Sequence, residues 1–586
     1  MMNKKESLFL QELQYIRQLA QEAAKENPHL ADFLSEGAGD PDIERVMQGF
    51  ALSASRIREK IEDEFPELTS GMLAHIWPYA MCPVPPTSIV QFSPTGKHHL
   101  SAMTLPEGAP VFAGEGEEEV SFETCCPLHI EPLAVIDRQL NATPEYSEIT
   151  LTLQCSENTS EWRSQPLDFF LGSDRLQAAE LALWLDFNLC DVFLRTQDKT
   201  IRLDDSYPVP ALWGTARQVA ILPAMKTTPY SILQLMTEYY YLPHVHDFVT
   251  IDIKKDRRLV ELNADRTFEL IFRFDGHLML NDISQTFLLD CVPVRHLEPM
   301  SEKISVNSEA NHYQIPLDST KQLFKLNHVC TSTEPKQERG QPYRYLPIEQ
   351  FSQTARFLPD AEFLYYYQLR TERDMSQRTL QHLHFFDCHG KPADNLPPQS
   401  IFCQFTGYQT RASNLGIGEI NLPGEYASVL KVSNITPVSS ACHSTMAEDQ
   451  ISRSAWSIIS FLSVSPWMAF QTHSLKDLIK LFDFSSDQSL SKRIQEHIDG
   501  IVRLDNIPID RLDKGVPVRG HQLVLTLNPD CYANQGEMHQ FSLVVSRLMT
   551  LFISMRTFVM MKVMDGQTGE ILWNFQHMMF GLRAYL

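Results

Sequence analysis

Residues 61–92, IEDEFPELTSGMLAHIWPYAMCPVPPTSIVQF, mark the point where the hydrophobic pattern of the chain changes. Before this stretch, apolar residues recur every three or four positions, which is the spacing of one helix face. From about Ile89 they alternate, which is the spacing of a strand with one buried face. Pro66, Pro78 and the prolines of 83–86 lie between the two patterns, and proline is disfavoured inside helices and central strands. The stretch therefore predicts a helical arm joined by a proline hinge to a β-rich body.

Length and charge narrow the possible functions. The chain has 586 residues, which suggests three or four domains. Its 50 Lys and Arg against 73 Asp and Glu give a net charge of −23. Nucleic-acid binders neutralise phosphates with Lys and Arg, so this balance argues against a nucleic-acid partner and permits basic protein partners.

Cysteine usage and the longest apolar stretch bear on location. The 11 cysteines show no regular spacing, which favours reduced thiols in a cytoplasmic protein. Residues 541–564 are strongly apolar, but Arg547 and Arg556 leave only eight uncharged residues between them. A membrane-spanning helix needs about 20 such residues. We therefore expect no direct membrane insertion and predict a buried or partner-facing helix here.

The predicted arm consists of two amphipathic helices. Asp40 can cap the second helix and Pro41 suits its first position. The apolar stripe of the first helix consists of Phe9, Leu13, Ile16, Ala20 and Ala23. The apolar stripe of the second helix includes Val46, Phe50, Ala54, Ile57 and Ile61. Periodicity favours neither of two arrangements: the apolar stripes pack within the molecule, or they join a helical bundle with other chains. These ten residues are the candidate partner interface.

The remaining chain predicts an α+β fold with several β-rich domains and a mixed C-terminal domain. Alternation predicts strands at 148–155, 180–187 and 268–274, with short helices near 173–180 and 230–243. The predicted domains are an arm and hinge at 1–88, a β-rich body at 89–330, a second β-rich domain at 331–445 and an α+β domain at 446–586. The last domain is predicted to contain helices at 455–464, 474–484 and 489–501, a strand at 522–528, a long helix and a final strand.

Catalytic motifs are scarce. The sequence has no phosphate-binding or dinucleotide-binding glycine loop and no zinc-protease or serine-hydrolase signature. The best metal candidate is HLHFFDCHG, with His382, His384, Asp387, Cys388 and His389, but no paired cysteine motif completes four ligands. We expect ordinary histidines before a glycine turn, and no catalytic residue, metal or cofactor. A metal-dependent enzyme using this cluster, or a β-sandwich ligand-binding protein, are the alternatives.

Residues 8–92 contain three characteristic motifs: DPDIER at 40–45, DEFPELT at 63–69, and a proline-rich turn into IVQF at 89–92. With these motifs the segment resembles the start of TssF, a baseplate subunit of the bacterial type VI secretion system. The segment LLDCVPVRHLEPM at 288–300 and residues 517–563 are also similar. His296 and Glu298 depart from the family's Asn and Phe.

This resemblance implies a non-enzymatic scaffold in a baseplate wedge, with its N-terminal helices in a multi-chain bundle. The implied partners are TssG, a second copy of TssF, TssK, TssE and the VgrG spike, with two copies of TssF expected per TssG. Such a wedge initiates the contractile sheath. It is assembled at the cytoplasmic face of the inner membrane through other subunits.

Overall fold

The structure is a computed structural model of the chain. It describes residues 13, 45–46 and 48–53 of the first 82, and most of residues 83–581. The gaps in the second range are 96–101, 115, 117–118, 156–165, 197–198, 204–206, 212–230, 253–266, 281, 307–309, 311, 319, 332–343, 352–363, 374–378, 394–395, 397–398, 441–468 and 484–486.

The chain divides into two compact units. One comprises Met1–Ile76 with Met446–Ser460, and the other comprises Trp77–Thr445 with Phe461–Leu586. In the first unit, residues 13, 45–46 and 48–53 are helical. In the second, the predicted switch to strand is confirmed, because the first described strand begins at Thr87.

The second unit is built mainly from strands. In chain order the described strands are β1 (Thr87–Pro94), β2 (Met103–Leu105), β3 (Pro110–Ala113), β4 (Val120–Thr124), β5 (Leu128–Ile130), β6 (Leu133–Ala142), β7 (Tyr146–Cys155), β8 (Leu167–Phe170), β9 (Leu189–Arg195), β10 (Thr200–Arg202), β11 (Val209–Pro210), β12 (Phe248–Ile251), β13 (Thr267–Asp275), β14 (Cys291–Arg295), β15 (Glu298–Val306), β16 (His312–Gln314), β17 (Lys321–Cys330), β18 (Arg344–Pro347), β19 (Leu364–Arg373), β20 (Thr379–Phe386), β21 (Gln399–Gln409), β22 (Ile420–Leu422), β23 (Leu430–Asn434), β24 (Ile501–Asp513), β25 (Val516–Leu527), β26 (Phe558–Asp565) and β27 (Ile571–Phe580).

Helices are fewer and cluster at two places in this unit. The described α-helices are α1 (Arg175–Leu183), α2 (Ser231–Tyr241), α3 (Thr472–Lys480), α4 (Gln488–Gly500) and α5 (Gln535–Met549). A π-helical turn (Trp184–Asn188) continues α1, and 3₁₀ turns lie at Pro243–His246, Ile348–Gln350, Thr410–Asn414, Gly424–Tyr426, Pro529–Cys531 and Thr550–Phe552. The predicted α+β fold with several β-rich parts is confirmed.

The first sheet joins strands that are distant in sequence. Its order is β22-β3-β4-β14-β1-β23. Val90 of β1 pairs with Val292 of β14 on one side and with Asn434 of β23 on the other. The segments between β5 and β14, and between β14 and β22, therefore form structures inserted into this sheet's connections.

Each insertion has its own core. In the first, the sheet β10-β9-β13-β7-β6 and the sheet β11-β12-β8 share a core with α1 that includes Leu151, Phe169 and Phe272. In the second, the sheets β15-β21-β17 and β16-β20-β19-β18 enclose a core that includes Leu383 and Phe405. The sequence-based limits at 88, 330 and 445 remain a prediction about which parts fold alone, although strand pairing joins residues on both sides of residue 330.

One predicted strand is wrong. Residues 180–187, expected to form a strand, lie in α1 and its π-helical continuation. Asp174 caps α1 by accepting hydrogen bonds from the backbone N–H groups of Leu176 and Gln177. Ala178, Ala179, Leu181, Ala182 and Leu183 are all buried, and Glu180 is the only polar residue among them. The 3.6-residue spacing of a helix with one polar face is therefore absent here, and the alternating leucines are typical of a strand.

The described C-terminal part is a four-stranded sheet, β24-β25-β26-β27, with the helices α3, α4 and α5. The predicted helices at 474–484 and 489–501 correspond to α3 and α4, and the predicted strand at 522–528 overlaps the second half of β25. The predicted helix at 455–464 lies outside the described residues.

Candidate partner-binding surfaces

Three of the ten predicted interface residues lie among the described residues of the arm. Val46 and Phe50 are 71% and 68% exposed, whereas Ala51 beside them is fully buried. Leu13 is buried. An exposed Val and Phe one helical turn apart form an apolar patch on one face of this helix. Phe9, Ile16, Ala20, Ala23, Ala54, Ile57 and Ile61 lie outside the described residues, so the ten-residue interface remains a prediction.

The apolar stretch at 541–564 does not form one long helix. Its first part completes α5, and its last part is strand β26. In α5 the side chains from Gly536 to Met549 are buried, except for Arg547, which is partly exposed. Of the two predicted alternatives, burial inside the chain is therefore the one that the structure adopts for α5.

Helix α5 docks on α1 through close backbone contact. A Cβ atom at Gly536 would lie 2.3 Å from the backbone of Ala179 and Glu180. The Gly536 N–H donates to Glu180 Oε2 (3.1 Å), and Asn534 Nδ2 donates to the Leu176 carbonyl (2.8 Å). These contacts fix the C-terminal part against the first insertion, and we call this contact between α5 and α1 the seam.

Buried ionisable groups extend the seam. Glu537 accepts from Arg493 Nε (2.9 Å) and from the Ala533 N–H (2.8 Å), and His497 Nε2 lies 3.4 Å from its carboxylate. Burial raises the pKa of Glu537, but these hydrogen bonds and positive neighbours outweigh it, so the net pKa is lowered. His539 Nε2 lies 3.0 Å from Asp186 Oδ2 across the seam.

His246 sits beside the seam in the 3₁₀ turn before β12. Burial, followed by the positive charges of Arg547 and Arg175, lowers its pKa to about 3. Glu238 Oε2 lies 3.5 Å from its Nε2 and favours the charged form, but burial dominates. The ring is therefore neutral at physiological pH. Each of these groups is held in the interior by neighbours of its own chain, which is the pattern of a structural network.

A second exposed surface was not predicted. β24 and β25 form a long hairpin closed by Lys514 and Gly515, both with positive φ (47° and 86°). Near the turn, Leu512 is 70% exposed and Val516 is 61% exposed. The signal was the Lys-Gly turn between alternating residues, and Pro508 and Pro517 obscured it because proline argues against strands.

The histidine cluster lies on the outer face of β20. His382 and His384 share this face, as predicted for alternate strand residues, and His312 of β16 pairs with His384, their ring centroids 5.4 Å apart. Burial, then Arg370 and the two neighbouring histidines, lowers the pKa of His384 to about 4. In the described part of the chain, no group of three His, Cys, Asp or Glu side chains could hold a metal ion.

Asp387 belongs to the glycine turn that the sequence predicted. Its Oδ1 accepts from the backbone N–H groups of His389 and Lys391, at 2.8 and 2.9 Å. Gly390 adopts φ +76°, a conformation that suits glycine. The carboxylate thus stabilises the loop after β20, and Cys388 is only partly buried beside it.

An open groove of about 620 Å³ bears on the ligand-binding alternative. It lies along β15, β17 and β21 and is lined by Pro299, Met300, Ser301, Lys325, Leu326, Asn327, His328, Gln404 and Phe405. Small-molecule sites are usually concave and enclose most of their ligand. A shallow groove across three strands is a weak candidate for such a site.

One departure from the family pattern has a structural role. His296 is fully buried, with its Nδ1 2.5 Å from the Ser121 carbonyl and its Nε2 accepting from the Gln409 N–H at 2.9 Å. Burial lowers its pKa. The ring links β4 to the end of β21, so this substitution fills a core position.

Among the described residues, none of the helices has the length and apolar character needed to cross a membrane.

Comparison with known proteins identifies the family. The model of the family "Type VI secretion system, TssF" matches residues 1–581. The type VI secretion system component TssF1 of Pseudomonas aeruginosa is 23% identical over 622 aligned positions, covering 96% of each chain.

Two solved structures share the fold. One is a chain of a TssK-TssF-TssG baseplate subcomplex, with a TM-score of 0.68 and 20% identity over 92% of this chain and 99% of that one. The other belongs to a type VI secretion system baseplate complex, with a TM-score of 0.54 and 18% identity over 98% and 100% of the two chains. Because the family model spans nearly the whole sequence, the chain belongs to the TssF family of the type VI secretion system.

Proposed function

We propose that this chain is a non-catalytic structural subunit of a type VI secretion baseplate wedge. The observation that carries the proposal is the extent of the match: the family model covers residues 1–581, and the fold match covers 99% of a chain from a TssK-TssF-TssG subcomplex. A likeness that spans whole chains leaves little room for an added catalytic domain.

In this proposal the chain binds TssG, with two copies per TssG, and the wedge carries TssK and TssE around the VgrG spike to initiate the sheath. Assembly takes place in the cytoplasm, at the inner face of the inner membrane. The exposed Val46 and Phe50 support an arm that contributes apolar surface to other chains.

The test is co-expression of the chain with TssG from the same organism, followed by size-exclusion chromatography with light scattering. We expect a complex with the mass of one TssG and two copies of this chain. A version lacking residues 1–63 should form less of it or none.

A chain that elutes as a single monomeric species and forms no complex with TssG would contradict the proposal. The metal content of the purified chain then decides the next alternative. Stoichiometric metal lost on replacing His384 would favour an enzyme built on the histidine cluster.

A further inference from the structure

In the part of the chain that the structure describes, the distal half of the C-terminal hairpin has two edges without a neighbouring strand. Only Gly520–Leu527 of β25 pair with β26, so within the described chain residues 516–519 have β24 alone beside them. β24 is the outermost strand of its sheet. Strand edges with unpaired N–H and C=O groups are templates for pairing with another strand.

One hydrogen bond shows which backbone groups of β24 face outward. Leu504, paired with Leu525 of β25, donates its N–H to Thr472 Oγ1 at 2.9 Å instead of to β25. Backbone groups alternate in direction along an antiparallel strand, and the β24–β25 register is regular from Arg503 to Asp513. Residues 506, 508, 510 and 512 therefore also point their backbone groups away from β25.

The side chains along this edge are self-complementary. In an antiparallel pairing of two copies centred on residue 508, Asp505 meets Arg511, Ile507 meets Ile509, and Asn506 meets Asp510. Asp505 and Arg511 have opposite charges and occur on both sides of the two-fold axis. Facing charges and β-branched pairs of this kind stabilise neighbouring strands.

Pro508 stands at the centre of this arrangement, at an outward-facing and exposed position. It has no N–H to donate, and its ring would face the carbonyl of the opposite copy. We propose that the outer edge of β24 is a latent homodimer surface, fitting a second copy of this chain in the register centred on residue 508, and that Pro508 keeps it closed.

The other open edge is protected in the same way. Leu512 points its backbone groups outward and pairs with Pro517, so Pro517 points its own backbone groups away from β24. A proline therefore occupies an outward position on each edge of the distal hairpin. The edge at 516–519 is only four residues long and lacks a self-complementary pattern.

The surface is short. Thr472 occupies the acceptor position beside Leu504, so pairing extends only over residues 505–511 of each copy. Such an area is well below that of a stable dimer. The expected self-association is therefore weak and is best measured by sedimentation equilibrium of the full chain at high concentration.

The experiment replaces Pro508 with Thr, a strand-forming residue that restores the N–H. Two hydrogen bonds gained across the axis correspond to about a tenfold tighter self-association than wild type. Pro517→Thr is the matched control and should leave self-association unchanged. Circular dichroism and thermal unfolding confirm that both variants fold, and Pro508→Ala serves as the second variant if Pro508→Thr does not.

Charge reversal tests the register. Adding Arg511→Asp to Pro508→Thr places Asp against Asp505 at both ends and should return association to the wild-type value. Adding Asp505→Arg as well restores opposite charges and should restore association. Pro508→Thr behaving as wild type, or associating equally with and without Arg511→Asp, would overturn the proposal. None of these outcomes depends on the proposed baseplate function.

Discussion

Helix α5 and the described helical residues 45–46 and 48–53 of the arm both carry apolar side chains, yet they differ in what covers those side chains. In α5 nearly every side chain from Gly536 to Met549 is buried within the chain. In the arm, Val46 and Phe50 are about 70% exposed. Burying a side chain of this kind is worth about 1.5–3 kcal/mol, and the isolated chain does not gain that stabilisation for these two residues. Apolar pattern alone thus does not tell whether a helix serves its own fold or another chain.

The comparison predicts opposite effects for the same substitution in the two regions. Gly536→Ala places a methyl group 2.3 Å from the α1 backbone, which cannot rotate away, and should lower the free energy of unfolding by about 3 kcal/mol. Gly49→Ala is the matched control: a Cβ there meets nothing within 4 Å, and in a helix Ala is favoured over Gly by about 1 kcal/mol. Urea unfolding measures both. Equal effects of the two variants would mean that the seam is looser than described.

Removing one charge from the seam should have the next largest effect. Glu537→Gln leaves Arg493 and His497 with a neutral partner in a buried place, and we expect a loss of about 2 kcal/mol in unfolding free energy. Glu496→Gln removes an exposed partner of Lys492 at 3.5 Å and should cost about 0.3 kcal/mol or less. A similar loss in both variants would contradict a stabilising role for the buried pair.

The seam should also make stability depend on pH. His246 has a folded-state pKa of about 3, below the usual value of 6.5, so between these two values the unfolded chain binds more protons. Stability is then lost as the pH falls below about 6.5, by at most about 1.4 kcal/mol per pH unit for this group. The pKa of Glu537 is also lowered in the folded chain. The stability that this carboxylate contributes is therefore lost as the pH falls below its ordinary pKa of 4.5.

His246→Gln isolates the histidine contribution to this pH dependence. The variant removes the titration of His246, so the stability difference between wild type and variant should shrink as the pH falls from 7 to 5. Urea midpoints at several pH values measure that difference. A difference independent of pH would show that His246 titrates alike in both states.

The smallest effect on stability is expected in the arm. Val46→Asp with Phe50→Asp changes two exposed side chains, and surface substitutions usually alter unfolding free energy by about 0.5 kcal/mol or less. Thermal unfolding of the double variant should resemble that of wild type. A large loss would mean that these residues pack within the chain.

Local patterns in the sequence predicted much of the fold, and the failures have physical causes. β7 and β13 were predictable because each has one buried and one polar face. Residues 180–187 were not, because most of their apolar side chains are buried and a helix with apolar residues around most of its surface loses its 3.6-residue period. The insertion topology was also hidden, since no local pattern predicts that β1 pairs with β23 more than 300 residues later.

The same limits apply to the candidate surfaces. The apolar stripes of the arm predicted Val46, Phe50 and Leu13 as interface residues. Val46 and Phe50 are exposed, whereas Leu13 is buried. A heptad pattern identifies an apolar stripe but not what covers it. The exposed hairpin of β24 and β25 was not predicted, because Pro508 and Pro517 lie within its strands and proline in a sequence argues against a strand.

The most direct test of the central claim is the formation of a complex with TssG by the Val46→Asp, Phe50→Asp variant. The matched control is Ile417→Asp, which changes a 63% exposed apolar residue in the second unit. Both chains are co-expressed with TssG and measured by size-exclusion chromatography with light scattering. We expect the arm variant to fold but to lose the complex, while Ile417→Asp retains it. If the arm variant formed as much complex as wild type, the arm would not be needed for binding TssG.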